Sequence, residues 1–427
     1  MSGDLESELR ARTETGEVPD KARYTVREEP FGFTLYDRKP LNAKFIRKDR
    51  LDEVFASGGV NPQECVFLPT RREDFRNDIL YSPYRIYYEL TLGCNLRCKL
   101  CFNTAGKPKE NELSTQEVFD SLDSLREANV IDLRFTGGEL TMRPDWLDIM
   151  KYAQKLGFVI SCNTNAIFNQ NPGIPEKFAE LGLDQVTVSI DGNRKHHDRN
   201  RGKGSFDQTL KNVQRMHDLG VRLRINTLLT KYSLNDYEFI LELARLYTDE
   251  VNFFVPVFIG RGANREDEFS VTNEESAAFS KKIEELRPKY SGLNVLHFMR
   301  STKSRSLNGR TDSLSLQAGP PSGFTTFNLT CDGGIWGGGY VPYIDGSWCL
   351  GNIKKDDIFD IWQKSGLLEK QRKQSQALRN FCGKCPVYGT SCAETKWEIE
   401  LNRQLHPESN NYYCIYGQGK PLLDVVR

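Results

Sequence analysis

Apolar and polar positions alternate residue by residue over 24–38 and again over 43–46, with a Pro- and Asn-containing turn between them. Such period-two segments predict a β-hairpin. From residue 84 the pattern changes. Strand candidates at 86–92, 131–136, 157–163, 185–190, 221–229 and 250–257 alternate with stretches of helical periodicity. In 115–128, Val118, Phe119, Leu122 and Leu125 recur at helical spacing, and Ser114 with Glu117 forms a capping-box signature ahead of them. Six strand–helix repeats predict an α/β fold whose parallel sheet curves into a barrel or partial barrel, with its site at the C-terminal ends of the strands. A second capped helix is expected from Thr272 and Glu275 to about Lys289. The expected organisation is a mobile polar tail (1–22), an N-terminal hairpin extension (23–83), the partial barrel (84–300), a Ser/Gly/Arg-rich linker or lid (301–325) and a small cysteine-bearing C-terminal domain (326–427).

Composition narrows the function. The 427 residues suffice for two or three domains whose cores need no disulfides. Lys+Arg and Asp+Glu both number 58, so no basic excess points to nucleic acid or an acidic membrane surface. No apolar run approaches the roughly 18 to 20 residues of a membrane span, and the N-terminus does not read as a signal peptide. Eleven cysteines in such a chain point to metal ligands, and a soluble, cytoplasmic protein is expected.

Nine of those cysteines cluster. Cys94, Cys98 and Cys101 form a C-x3-C-x2-C run directly after the first barrel strand. Three thiolates on a four-iron cubane leave one iron open to a small ligand, whereas a structural zinc would want a fourth Cys or His, and the nearest histidine is His196. After the second strand, Gly137 and Gly138 allow close backbone approach to a ligand, and Glu139 beside them is suited to an ammonium group. Asn163-Thr164-Asn165-Ala166 follows the third strand, and Ser189-Ile190-Asp191-Gly192 the fourth. Arg201 lies just downstream, with a planar fork that matches a carboxylate. His196 and His197 read as structural or solvent-facing, and Gly260-Arg261-Gly262 as a turn closing the sixth strand.

Together these motifs resemble the radical S-adenosylmethionine (SAM) superfamily, with Leu100 at its usual apolar position. The resemblance implies a partial (β/α)6 TIM-like barrel and a SAM-binding 4Fe-4S cluster on Cys94, Cys98 and Cys101. It further implies SAM contacts from Leu100, Gly137, Gly138, Glu139, Thr164, Asn165, Ser189 (ribose) and Arg201 (carboxylate). Ala166 stands where the family has glycine, which leaves a backbone kink there open. Cys331, Cys349, Cys382, Cys385, Cys392 and Cys414 resemble the SPASM or Twitch extension that holds auxiliary iron–sulfur clusters. Lys396 replaces one cysteine of that pattern. The proximal cluster would borrow a ligand such as Cys65 or Asp332, or keep an open iron. Otherwise Cys331, Cys349, Cys382 and Cys385 hold a single cluster. A zinc ribbon on Cys382 and Cys385 is the plain alternative.

The activity implied is reductive cleavage of SAM, then hydrogen abstraction from a substrate. Glu29-Pro30-Phe31-Gly32-x3-Tyr36 resembles the opening of peptide-binding domains that accompany peptide-modifying members, so the expected substrate is a ribosomally made peptide, with or without a recognition protein. Flavodoxin or ferredoxin is the expected electron donor. A dehydrogenase of a sugar or cyclitol and a non-enzymatic iron–sulfur electron carrier are the alternatives. A sulfatase-maturing role is disfavoured by Leu350 after Cys349, where those enzymes place an Asp. No residue stands out as the general base.

Overall fold

The computed structural model describes residues 3–15, 21–298, 322–384 and 397–405. The N-terminal segment is more than a hairpin. Strands β1 (Tyr24–Glu29), β2 (Gly32–Asp37) and β3 (Asn42–Arg47) form an antiparallel meander. Helix α1 (Gly3–Thr15) precedes them, and α2 (Leu51–Gly58) follows. Strand β4 (Cys65–Leu68) then returns parallel to β1, giving the order β3-β2-β1-β4. Gly32 makes the β1–β2 turn tight, since a Cβ there would run into the Ile46 carbonyl. The expected mobile tail is corrected over 3–15. Its polar composition conceals Leu5 and Leu9, one helical turn apart, and Leu9 is buried against Val26, Phe33 and Phe67.

The second sheet carries the site. Its strands are β5 (Arg85–Glu89), β6 (Asp132–Thr136), β7 (Val159–Thr164), β8 (Gln185–Ser189), β9 (Leu223–Leu228), β10 (Glu250–Phe254) and β11 (Asn294–Phe298), followed by β12 (Thr326–Leu329), β13 (Gly334–Trp336) and β14 (Gly351–Asn352). Their order is β11-β10-β9-β8-β7-β6-β5-β12-β13-β14, with β5 to β12 parallel and the last two antiparallel. All six expected strands are present, and the partial barrel continues at both edges. The segment around β12, expected in a separate domain, adds to the barrel sheet beside β5. Trp362 fastens it further by donating Nε1–H to the Leu80 carbonyl (2.7 Å) and meeting Phe327 edge-on. Most of the expected 301–325 linker lies outside the described residues.

Crossover helices cover the outer face. Among them are α3 (Thr115–Glu127), with the anticipated Ser114/Glu117 capping box, α4 (Trp146–Lys155) and α5 (Ile174–Leu181). Downstream come α6 (Arg194–Arg201), α7 (Ser205–Asp218) and α8 (Tyr237–Tyr247). Ile86, Leu133, Val186 and Val251 are buried in the common core on that face. The floor of the barrel is closed by the N-terminal sheet. Tyr36 donates its hydroxyl to Asp132 Oδ2 (2.7 Å), and Arg85 bridges Asp132 (2.5 Å) and the Leu41 carbonyl (2.7 Å). Fully buried Arg27 reaches the Ser82 hydroxyl (2.8 Å) and is paired with Glu29. Among the described residues no helix is long and apolar enough to cross a membrane.

Candidate functional site

At the C-terminal end of β5 the chain leaves the sheet and forms the cysteine loop. Its opening is held by Glu112, whose carboxylate accepts the Thr91 hydroxyl (3.0 Å) and the Leu92 and Lys109 amides (2.8 and 3.0 Å). Its middle is held by Asn200 at the end of α6, which accepts the Lys99 amide on its carbonyl (2.9 Å) and the Leu100 amide on Oδ1 (3.1 Å). Arg261 clamps the far side. Its guanidinium donates to the Cys98 (2.9 Å) and Ala105 (2.6 Å) carbonyls, and its amide to that of Cys101 (3.0 Å). Gly260, at φ +56°, lies so close to the loop that a Cβ would strike the Phe102 carbonyl. The Gly-Arg-Gly turn is therefore the brace of the cysteine loop.

The three thiols are half-buried on this braced loop. Burial pushes the Cys94 thiol up to about 11 and raises Cys98 as well, while the Arg201 and Arg261 cations pull Cys98 the other way. Without compensating positive charge these thiols stay protonated; iron would ionise them. Among the described residues no three Cys, His, Asp or Glu side chains converge on a single ion. Ligands for a cubane spread over its corners and need no such convergence, so the donor set fits a three-thiolate cluster with cationic side chains beside it. Leu100 is buried against Phe258 and Phe269, which fixes the loop between Cys98 and Cys101.

The neighbouring loops dock on this one. The Gly138 and Glu139 amides donate to the Thr91 (2.7 Å) and Gly93 (2.8 Å) carbonyls. A Cβ on Gly137 would collide with the Thr91 carbonyl, and one on Gly138 with that of Gly93. Glu139 is fully buried, and its carboxylate accepts the Thr141 and Thr164 hydroxyls (2.8 and 2.9 Å) and the Asn165 amide (2.8 Å). Its side chain ties the β6 and β7 loops together. Asn165 donates to Asn95 Oδ1 (2.7 Å) and approaches Cys94 Sγ (3.9 Å). Ala166 takes φ +56°, so the family's kink is present with an alanine in it. Ser189 ends β8, half-buried.

Arg201 sits beside Cys98 and Cys101 but is already engaged. Its Nε and Nη2 make a bidentate pair with Asp191 (2.7 and 3.1 Å), which also accepts Asn200 Nδ2 (2.7 Å) and the Leu228 amide (3.2 Å). Burial raises the Asp191 carboxyl, and the Arg201 charge outweighs it and holds it below the usual range. His197 is buried and accepts the Asp191 amide on Nδ1 (3.3 Å), whereas His196 pairs with Asp236 (2.6 Å); both are structural, as expected.

The C-terminal cysteines separate. Cys331 is buried in an apolar cluster with Leu92 and Ala105, against Cys94 and Cys101. Burial and the Glu89 charge push its thiol up. Cys349 is exposed, and Cys382 is buried near the end of the Gly366–Gly383 helix. Cys385, Cys392 and Cys414 lie outside the described residues. Cys65 is packed in the N-terminal core with its thiol raised by burial to about 12, and Asp332 is taken by Lys109 (2.9 Å) and Thr330 (2.6 Å).

Sequence reasoning missed Asn103, which joins Cys101 Sγ (2.9 Å), the Gly137 carbonyl (3.0 Å) and Glu89 Oε2 (3.1 Å). It also missed the Tyr343 hydroxyl, which donates to the same Glu89 oxygen from above the barrel mouth. Phe102 meets Tyr340 and Tyr343 edge-on, closing that side.

Residues 88–244 match the radical SAM superfamily model. Over 359 residues the chain is 28% identical to an AdoMet-dependent heme synthase of Methanosarcina barkeri, covering 79% of this chain and 98% of the relative. It is 27% identical over 360 residues to mycofactocin maturase MftC of Mycolicibacterium smegmatis, covering 82% and 86%. In fold it is similar to Streptococcus suis SuiB bound to its precursor peptide SuiA, at a TM-score of 0.70 and 14% identity over 93% of this chain and 98% of the other.

Proposed function

We propose that this chain, which belongs to the radical SAM superfamily through residues 88–244, matures a ribosomally made peptide. A 4Fe-4S cluster bound here would supply the electron for cleavage of SAM to methionine and a 5′-deoxyadenosyl radical. Cys94, Cys98 and Cys101 are the ligands that fit, and Arg201 and Arg261 offset the cluster's negative charge. The backbone of the Gly137–Gly138 turn and the end of β8 at Ser189 line the place for SAM. The interlocked loops, with Tyr340 and Tyr343 over the mouth, exclude water from the reacting atoms.

The single observation that carries the peptide reading is the N-terminal sheet. Its edge strand β3 presents Lys44 and Arg47 as exposed side chains. An edge strand offers unpaired backbone groups to an extended peptide, and the two cations suit an acidic one. Mycofactocin maturase among the relatives, and the peptide-bound SuiB fold, support the same reading. Cys331, Cys349, Cys382, Cys385, Cys392 and Cys414 are proposed to hold one or two auxiliary clusters that take up or relay an electron, with flavodoxin or ferredoxin as donor.

The test is anaerobic reconstitution with iron and sulfide of the wild type and of the Cys94/Cys98/Cys101→Ala triple variant. Iron, SAM cleavage and binding of short peptides encoded beside the gene are then measured. The reading requires 5′-deoxyadenosine from the wild type alone, residual iron in the variant, and peptide binding that weakens when Lys44 and Arg47 become Glu. Unchanged iron in the variant, or absence of SAM cleavage in the wild type, overturns it.

A further inference from the structure

Barrels of parallel strands are ordinarily filled by bulky branched side chains, and the strands read as nearly continuous apolar runs. Here they do not. Tyr88 points outward, its hydroxyl 2.8 Å from Ser121 on α3, so Arg85, Tyr87 and Glu89 point inward. The same alternation turns Arg134 inward between buried Leu133 and Phe135, and Arg224 inward between Leu223 and Ile225. Thr187 and Asn252 are placed likewise on β8 and β10. The interior of this barrel is polar on every strand from β5 to β10.

It is also short of partners. Seven buried side-chain polar atoms in this shell have no hydrogen-bond partner among the described residues: Asp132 Oδ1, Arg134 Nε, both amide atoms of Gln185, Thr187 Oγ1, Arg224 Nε and Asn252 Oδ1. Native proteins leave few such atoms, and a concentration of them in one chamber marks the place of a polar guest.

The charge of that guest follows from the cations. Three guanidinia, Arg85, Arg134 and Arg224, stand over two carboxylates, Asp132 and Glu250. Arg85 takes Asp132 (2.5 Å), and Arg224 reaches Glu250 (3.1 Å). Arg134 is left 3.8 Å from the shared Asp132 and stacked 5.9 Å above the Tyr87 ring. Burial, then the field of Arg134, lowers Arg224 to about 10. Burial pushes the Tyr87 phenol up, yet Arg134, Arg85 and Arg224 together bring it below its ordinary value. Glu89, one layer higher on the same face, is held at Oε2 by Tyr343 and Asn103, and burial raises its carboxyl, which favours the uncharged form. The chamber is electropositive.

We infer that the barrel interior is a carboxylate-binding chamber in which Arg134 and Arg224 hold an acidic group of the substrate. On the reading of a peptide substrate, which this inference deepens, the group is a peptide's C-terminal carboxylate or an Asp or Glu side chain. Arg134 precedes Gly137 by three residues, so the anchored carboxylate lies roughly 10 Å beneath the SAM turn at about 3.3 Å per strand residue. That span is about three extended residues, so it places carbons roughly three residues from the carboxylate at the mouth where hydrogen is abstracted. Paired guanidinia are suited to this task because each offers a planar, bidentate fork that cannot be deprotonated at working pH.

The experiment uses the full chain and four probes: Ala-Ala-Glu, Ala-Ala-Gln, and the C-terminal amide of each. Calorimetry at low salt should show at least one acid bound roughly tenfold tighter than the doubly neutral Ala-Ala-Gln amide. Comparison of the two singly charged probes assigns the group to the terminus or to the side chain. Arg134→Gln and Arg224→Gln should abolish the preference, while Arg224→Lys keeps part of it. Should the Gln variants fail to fold, protection of the wild-type arginines from phenylglyoxal by the acidic probe replaces them. Equal affinity for acid and amide, no binding of any probe, or absent protection overturns the inference. SAM cleavage by the wild type without peptide is read separately. Its failure would sink the superfamily chemistry and leave the carboxylate preference to stand or fall on calorimetry.

Discussion

Removing Arg201 should cost more stability than removing any exposed charge of the protein. Asp191 has a side chain 2% exposed, and two of its four hydrogen bonds come from the Arg201 fork. Arg201→Ala leaves a buried carboxylate with two neutral donors and no countercharge. Stranding one member of a buried pair costs about 3–5 kcal/mol. Protonating Asp191 at pH 7 instead, from its ordinary value, costs about 4 kcal/mol at ~1.4 kcal/mol per pH unit, and so sets a ceiling. A loss of about 3–4 kcal/mol is expected by urea denaturation of the metal-free chain at pH 7. The sign with pH follows. In the wild type the Asp191 carboxyl is held low, so its contribution is present above the ordinary carboxylate range and lost as pH falls through the native value. In the variant that carboxyl is raised, so the gap between the two proteins should narrow on going from pH 7 to about pH 4.5. The Arg201→Ala/Asp191→Asn double variant should recover more than half of the loss, because no charge is then stranded. A single-variant loss under about 1 kcal/mol at pH 7, or a gap that does not narrow in acid, would refute the reasoning.

Two further outcomes follow from the same region. Burial and the Arg201 charge lower His197 to about 4, so it stays neutral in the fold and takes a proton only on unfolding. Stability is full above about pH 6.5 and falls by roughly 3 kcal/mol on descent toward pH 4, and His197→Gln should flatten that part of the stability–pH curve. Gly260→Ala places a methyl against the Phe102 carbonyl at a positive φ. It should reduce iron retained by the reconstituted Cys94–Cys101 loop severalfold while far-UV circular dichroism stays unchanged; full iron occupancy would show that the Gly-Arg-Gly turn does not brace the loop.

The alternation of strand and helix was legible because each strand carries a buried outer face, and Ile86, Leu133, Val186 and Val251 announce it. Spacing made the cysteine loop legible too, since Cys94, Cys98 and Cys101 are close in the chain. What spacing cannot convey is the origin of the groups that hold such a loop. Asn200, Arg261 and Glu112 come from three separate segments, and each looks like an ordinary polar residue until folding brings it to a loop carbonyl or amide. Glu139 shows the converse. Its neighbours marked it as a ligand-gripping acid, and the fold adds a second task that spacing did not show, since Thr141, Thr164 and the Asn165 amide, two of them from the β7 end, donate to its carboxylate. Helix α1 went unread because burying Leu9 needs only one apolar turn when the partner surface is supplied by β1, β2 and β4. The polar chamber, by contrast, was written in the strands all along. Asp132-Leu133-Arg134-Phe135-Thr136 and Gln185-Val186-Thr187-Val188-Ser189 alternate strictly. In a parallel sheet whose outer face is covered by helices, the polar half of such a pattern has nowhere to point but inward. A strand that is amphipathic where both faces should be apolar is therefore a signal of a guest, and Arg134, with Arg224 at the corresponding face of β9, states its charge.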